Sequence, residues 1–399
     1  MKRSLYIILC LILGVALSGC IEEYVADIPS EDSDLLVVEG TICSGKLNKF
    51  ILTRTKSINA AYSYPIVAGA KVSVRGSDGS EYQAFSDYEG AWGSIGSGNY
   101  YCQVGTLNPD VDYYLHIETD GEIYESTPQK PLRSEKIADV RGVQNTPESN
   151  IDILVTPEAP FDPDKANYYS WTYDETWEVH PDYTTNIFYD TEKNMVVSKR
   201  NQFPERGWMD ATGTTIMVGS STNYQGQHIE RLKLYDIDRG DRRMLHRYSG
   251  LIHQRAITKG EYEYNLARRQ AGEDMGGLFT PQPSALPTNI HCLTSDKRVI
   301  GYVGCSLNTG DYRFFLDTDD FSVYRTQGGG LVWVEKPTSD DCCRMVALGY
   351  YLVVWDAGFP PTTEPPTSAW ARLNQLDVRT IGAYIEEPEF WKLTENVSY

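Results

Sequence analysis

Residues 35–42 read LLVVEGTI, a run of aliphatic and β-branched side chains of the length and type that a short strand favours. The same signature recurs outward along the chain at 50–55, 71–75, 81–85, 113–117 and 122–126. Asp78-Gly79 and Asp120-Gly121 fall between paired runs, where Asp-Gly supplies the positive φ angles of a tight hairpin. Short strands at this spacing predict an immunoglobulin-like β-sandwich over residues 35–130.

Prolines and polar residues at 127–131 and 145–147 mark a boundary, and a second β-rich domain is expected over 148–399. Residues 151–155, IDILV, alternate apolar and polar. In 168–177 every second position is aromatic up to Glu175, with Tyr169, Trp171 and Tyr173 on one side, so one face of that strand should be buried. Strands are also expected at 299–303, 312–316 and 330–334. Thr258 and Glu261 form a capping box at the start of a helix expected near 259–271, in a fold with one or two short helices. The proline-rich stretches 278–287 and 356–368 read as loops.

Residues 1–19 read as a processing signal: Lys2 and Arg3, then an apolar run at 5–17 that is short of the roughly 20 residues a helix needs to span a bilayer. The run ends in Leu17-Ser18-Gly19-Cys20, a lipobox whose cysteine thiol accepts diacylglycerol. Cys20 is thus the expected lipidation site, and a membrane the expected partner through that lipid. Several acyl chains make such an anchor effectively permanent, because each buried methylene contributes about 0.8 kcal/mol. Residues 20–34 hold Glu22, Glu23, Asp27, Glu31, Asp32 and Asp34 and neither Lys nor Arg, the composition of a solvated tether.

Removing 1–19 takes two basic residues and leaves 34 Lys and Arg against 55 Asp and Glu, a net charge of −21. That argues against nucleic acid as a partner, since such binding needs clustered positive charge.

Six cysteines remain beyond Cys20: Cys43, Cys102, Cys292, Cys305, Cys342 and Cys343. An even number in an exported chain suggests disulfides, and six admit 15 connectivities. Cys342 and Cys343 are adjacent and too close to bond each other comfortably. The expected pairing is Cys43 with Cys102, and the vicinal pair with Cys292 and Cys305. A zinc site is the competing reading, without a CxxC or HxxxH spacing to support it; no metal and no cofactor is expected.

Catalytic signatures are weak. No GxSxG elbow or P-loop occurs. His246 and His253, seven apart around an expected strand, should face opposite ways and read as structural. Glu175 and Glu178, or Glu386, Glu387 and Glu389, could supply the two carboxylates of a hydrolase, but with 55 acidic residues such clusters arise freely. Asp236, Asp238 and Asp241, and Asp317, Asp319 and Asp320, lack the full calcium-loop pattern and read as solvated turns. The 28 tyrosines and eight tryptophans favour recognition surfaces, since each ring carries a hydrogen-bonding edge. Trp171 and Trp177 are expected in the core. Tyr24, Tyr62, Tyr64, Trp370 and Tyr384 fall in loop-like contexts and are candidate contacts for a glycan or peptide.

Several segments together resemble a family of Bacteroidota lipoproteins known only as a domain of unknown function, number four-two-four-nine. The resemblance rests on LLVVEGTI, YYSWTYDETWEV at 168–179, HRYSGLIHQRAITKGEYEY at 246–264, GGLFTPQPSALPTNIHC at 276–292, IGYVGCS at 300–306 and EPEFW at 387–391. It implies an outer-membrane lipoprotein found beside SusC-type TonB-dependent transporters. The acidic pair Glu22 and Glu23 resembles the surface-export signal of such lipoproteins. The expected function is therefore that of a surface-facing, non-enzymatic accessory or binding component of a TonB-dependent nutrient-uptake system, with a SusC-like barrel as partner. An independent glycan- or peptide-binding lipoprotein and a carboxylate-dependent hydrolase are the alternatives.

Overall fold

The computed structural model describes residues 34–55, 66–86, 97–273, 286–324, 330–356, 367–392 and 396–398. The chain begins with β1 (Leu36–Cys43), β2 (Leu47–Arg54), β3 (Lys71–Gly76), β4 (Glu81–Ser86), β5 (Asn99–Gln103), β6 (Tyr113–Thr119) and β7 (Glu122–Ser126). There follow β8 (Ile137–Val143), β9 (Ile151–Pro157), β10 (Tyr168–Val179), β11 (Ile187–Asp190), β12 (Met195–Ser198), β13 (Gly207–Thr212), β14 (Met217–Ser220), β15 (Leu232–Ile237) and β16 (Tyr248–Ile257). Helix α1 (Lys259–Glu273) leads to β17 (Ile290–Cys292), β18 (Val299–Ser306), β19 (Gly310–Leu316) and β20 (Val332–Glu335). Helix α2 (Ser339–Ala347), β21 (Tyr350–Asp356), β22 (Thr367–Arg372) and β23 (Val397–Ser398) complete the described elements. None of the described helices is long and apolar enough to cross a membrane.

The molecule is mainly β, but its first unit is not the expected immunoglobulin-like sandwich. Nine strands form one hydrogen-bonded path, β17-β7-β6-β3-β4-β5-β2-β1-β18, curled into a nearly closed, barrel-like sheet. Strand β4 turns the corner: it pairs with β3 at Gln83 to Glu81 and with β5 at Ala84 to Ser86. Strand β1 lies parallel to β18, from Leu36 opposite Val299 to Cys43 opposite Ser306. Alternate residues of these strands, among them Leu36, Val38, Phe50, Leu52, Val72, Val74, Leu115 and Ile117, converge with Ile290, Val299 and Val303 in one core. Gly301, with φ +143°, lets β18 lie close to β1, because a Cβ there would sit 2.2 Å from the Val38 carbonyl oxygen.

Local strand signals identify which residues are buried but carry no information about partners hundreds of residues away. The boundary expected between 130 and 148 therefore does not separate two self-contained halves, since residues 290–306 return to complete the first sheet.

Two facing sheets occur instead in the second unit. A sheet ordered β13-β10-β16-β19-β23, with β14 also on β10, lies over the three-stranded sheet β15-β9-β8. Ile151, Ile153 and Val155 of β9 meet Tyr169, Trp171 and Tyr173 of β10 in this core, so the period-two patterns of both strands bury the expected faces. Further on, β20-β22-β21 packs with α2 and the β11–β12 hairpin around Cys342, Met345, Leu352 and Trp370.

Helix α1 uses half of its capping box. Thr258 Oγ1 accepts from the Glu261 N–H at 3.1 Å, while the Glu261 carboxylate turns to the Arg255 guanidinium instead. Gly272 lies within the helix and not beyond it. Helix α2 carries a complete capping box, Thr338 with Asp341, which places the vicinal cysteines on a helix.

All six cysteines among the described residues are free thiols, which corrects the expected disulfides. Cys102 and Cys305 belong to the first core, and Cys342 to the core around α2, so no thiol of the vicinal pair can reach Cys305. Cys43 and Cys102 are separated by β2, whose Asn48 lies opposite Cys102 and bonds the backbone of Cys43.

Candidate binding cleft

The end of β10 turns from core strand to cleft wall. Glu175 occupies a core-facing position and is 6% exposed, so its charge must be met inside the protein. Both its oxygens accept from Arg243 Nη1 at 2.7 Å, and Oε2 also accepts from the Tyr248 hydroxyl at 3.0 Å. Tyr235 Oη lies 3.0 Å from Tyr248 Oη, and Arg243 Nη2 reaches Asp241 at 2.7 Å. Burial pushes the Tyr248 hydroxyl well above its ordinary value, with Tyr235 and Glu175 adding to the shift. The group is thus held as a donor toward Glu175.

Three residues further, Glu178 accepts from Trp391 Nε1 at 3.2 Å and lies 2.6 Å from His180 Nε2. The hydrogen bond from His180 is the main influence that holds the Glu178 carboxyl below the usual range, against the effect of burial. The His180 ring stacks on that of His246, with centroids 3.7 Å apart and planes 19° from parallel. Sequence spacing suggested nothing of this pair, because His246 precedes β16 and meets a residue beyond the end of β10.

Glu175, Glu178, His180, Asp241, Arg243 and His246 line a cleft of about 760 Å³, with apolar surface from Trp177, Met209, Leu245 and Ile381. It adjoins a second hollow of about 440 Å³, lined among others by Asp182, Arg242, Tyr350, Arg372 and Gln375, and the two share His180, Pro181 and Ile381. Another concavity, of about 800 Å³, lies between residues 139–147 and 315–322 and contains no imidazole. A cleft that combines apolar walls with a few fixed polar groups is the usual form of a small-ligand site.

The aromatic residues proposed from sequence as ligand contacts do not assemble here, whereas Glu175, Glu178, Asp241 and His246, also singled out from sequence, line the cleft. Trp370 is 1% exposed on β22, its Nε1 donating to Ser368 Oγ, so the loop context expected for it is corrected to a core strand. Tyr384 is half-buried at the edge of β13, where its hydroxyl donates to Asp210 and its backbone bridges Trp208. Cys20, Tyr24, Tyr62 and Tyr64 lie outside the described residues. His253 sits between Asp311 and Asp174, at 3.0 and 3.2 Å. Asp241 serves Arg243, Asp236 serves Lys233 and Asn150, and Glu387 pairs with Arg206. No group of three or more metal-ligating side chains converges among the described residues.

Fold and cleft define a multi-sheet, mainly β protein with a ligand-sized hollow walled by paired charges and two stacked imidazoles. The model of a family described as a domain of unknown function (DUF4249) matches residues 21–310, and the chain belongs to that family. The match takes in β10 and the turn before β16 but not the cleft residues 330–381. No curated protein matches the chain. Among solved structures, a DUF4785 family protein from Legionella pneumophila subsp. pneumophila str. Philadelphia 1 is 14% identical, over 52% of this chain and 54% of its own. Its TM-score of 0.16 is too low for any statement about shared fold.

Proposed function

We propose that this chain is a lipid-anchored outer-membrane protein, facing the cell exterior, that serves as a non-enzymatic binding or accessory component of a TonB-dependent nutrient-uptake system. The observation that carries the reading is the lipobox ending at Cys20, followed by Glu22 and Glu23, in a member of this family. Resemblance to its lipoproteins implies a SusC-type barrel as neighbour. The cleft supports the binding half. The two carboxylates of β10 are committed to protein partners, Glu175 to Arg243 and Tyr248 and Glu178 to His180 and Trp391, which favours holding a ligand over turning it over. Gentle solubilisation and capture of the tagged chain should recover a TonB-dependent barrel, and Cys20→Ala should release the protein from the membrane fraction. Capture of no barrel in several detergents overturns the transport partnership. An independent glycan- or peptide-binding role is the second reading, favoured by the cleft alone.

A further inference from the structure

The two adjoining hollows differ in charge. The larger is lined by Glu175, Glu178, Asp182 and Asp241 against Arg242 and Arg243. The smaller presents two guanidinium groups, Arg242 and Arg372, against one carboxylate, Asp182. In a chain with 36 basic and 55 acidic residues such a wall runs against the prevailing field, and two like charges on one hollow repel each other. Neither arginine is saturated. Arg242, 68% exposed, stands 3.7 Å from Asp182, beyond hydrogen-bond reach. Arg372 donates from Nε to the Tyr350 hydroxyl at 3.1 Å and lies over that ring, and its two terminal nitrogens meet no acceptor among the described residues. A guanidinium held by its Nε and by stacking, with its outer fork open, is oriented to take a planar oxyanion.

Beside this fork the smaller hollow is mixed, lined by Asn374 and Gln375 as well as by aliphatic residues. Ile381 and His180 are shared by both hollows, Val332 and Val378 line the smaller, and Trp177 lies along the larger. We propose that the smaller hollow is a carboxylate subsite formed by Arg242 and Arg372, and that the cleft takes the C-terminal end of a short peptide whose last side chain is apolar or aromatic and rests on His180 and Ile381. This rests on the reading of the cleft as a binding site and supplies its ligand class. Carboxylates lining the larger hollow repel a second anion, which sets the polarity of the bound chain.

The test uses the full lipidated chain in a non-ionic detergent and ligand-observed NMR or calorimetry with three probes: N-acetyl-tryptophan, its uncharged amide and glucuronate. The acid should bind at least about tenfold more tightly than the amide, and more tightly than glucuronate. Arg372→Gln and Arg242→Gln should each abolish the preference for acid over amide while leaving the thermal midpoint unchanged. Equal binding of acid and amide, or an unchanged preference in both variants, overturns the carboxylate subsite. Glucuronate binding as tightly as the aromatic acid overturns the peptide assignment in favour of an acidic sugar. None of these outcomes depends on recovery of a barrel, so the ligand class and the transport partnership fail separately.

Discussion

The side-chain amide of Asn289 takes the place of a strand residue opposite Val303, donating from Nδ2 to the Val303 carbonyl and accepting from the Val303 N–H, each at 2.9 Å. The backbone carbonyl of Asn289 accepts from the Thr127 N–H at 2.7 Å, just beyond β7. One residue therefore links the end of β7, the strand next to terminal β17, to β18 at the opposite end of the nine-stranded path, and Thr288 Oγ1 adds a bond to the Gly301 carbonyl at 2.8 Å. Asn289→Ala leaves the buried Val303 N–H without its partner, while Gln129 Nε2 still serves the carbonyl at 2.5 Å. One orphaned buried donor costs about 1–3 kcal/mol. Urea unfolding should show a lower midpoint at unchanged slope, and an unchanged midpoint would mean that the seam contributes nothing to stability.

Glu175 and Arg243 hold the other seam, between the second core and the cleft. Glu175→Gln keeps the shape but removes the charge that Arg243 and Tyr248 address. Hydrogen bonds to charged groups are worth roughly 1.5–3 kcal/mol, and a loss in the lower part of that range is expected because Arg243 is partly exposed. Tyr248→Phe should cost about 1 kcal/mol. The double variant should lose less than the sum, because both changes act on the same carboxylate. Strict additivity in denaturant titrations would show that the network is not coupled.

Strand-level features were legible because they are local. The aromatic alternation in Tyr169, Trp171 and Tyr173 reports directly on the buried face, and Asp120 and Gly121, with φ of 53° and 77°, make the hairpin that Asp-Gly suggests. Pairing was not legible. Strand β18 reads as an ordinary apolar run, and nothing within it specifies β1 as its parallel neighbour. The cleft was less legible still: His180, His246, Arg242 and Arg372 come from separate segments and acquire meaning only through proximity. Cysteine count misled because parity constrains pairing only when thiols meet, and Cys342 of the vicinal pair lies in a different core from Cys102 and Cys305. Trp370 misled because the proline-rich stretch preceding it masks the start of β22.

His253 lies between strands β10 and β19, facing Asp174 on one and Asp311 on the other. The hydrogen bond to Asp311 leads in raising its pKa above the ordinary 6.5, with burial opposing and Asp174 assisting. A folded value above the unfolded one stabilises fully below the unfolded pKa, and the contribution is lost as pH rises through the folded value. The difference in thermal midpoint between the wild type and His253→Gln should therefore be larger near pH 6 and shrink as pH is raised to about 9. Calorimetry at several pH values checks this, and a gap that is constant or widens with pH would count against the assignment. The Asp311 carboxyl is also shifted, downward: burial works against the shift, but the His253 bond outweighs it. Its contribution is lost in a separate, acidic window, as pH falls through the lowered value.

The free thiols make a final prediction. Burial pushes Cys305 up to about 12 and Cys102 up to about 11, so neither forms appreciable thiolate near neutrality. Cys292 differs. Burial raises it, but hydrogen bonds from Ser295 at 3.2 Å and Thr294 at 3.4 Å outweigh that and leave the thiol below its ordinary value, in a partly exposed position on the short edge strand β17. Alkylation of the folded protein at pH 8 should therefore modify Cys292 first, with Cys102, Cys305 and Cys342 reacting only at the rate of unfolding. In denaturant without reductant Cys43, Cys102, Cys292, Cys305, Cys342 and Cys343 should all take up label, six in number, as counted by peptide-resolved mass spectrometry. Each disulfide formed in the cell would remove two labels, so a smaller count would restore the paired arrangement that the sequence alone suggests. Replacement of Cys292 by Ser should abolish the fast phase and lower the unfolding midpoint only slightly, since its side chain is partly buried against the first core.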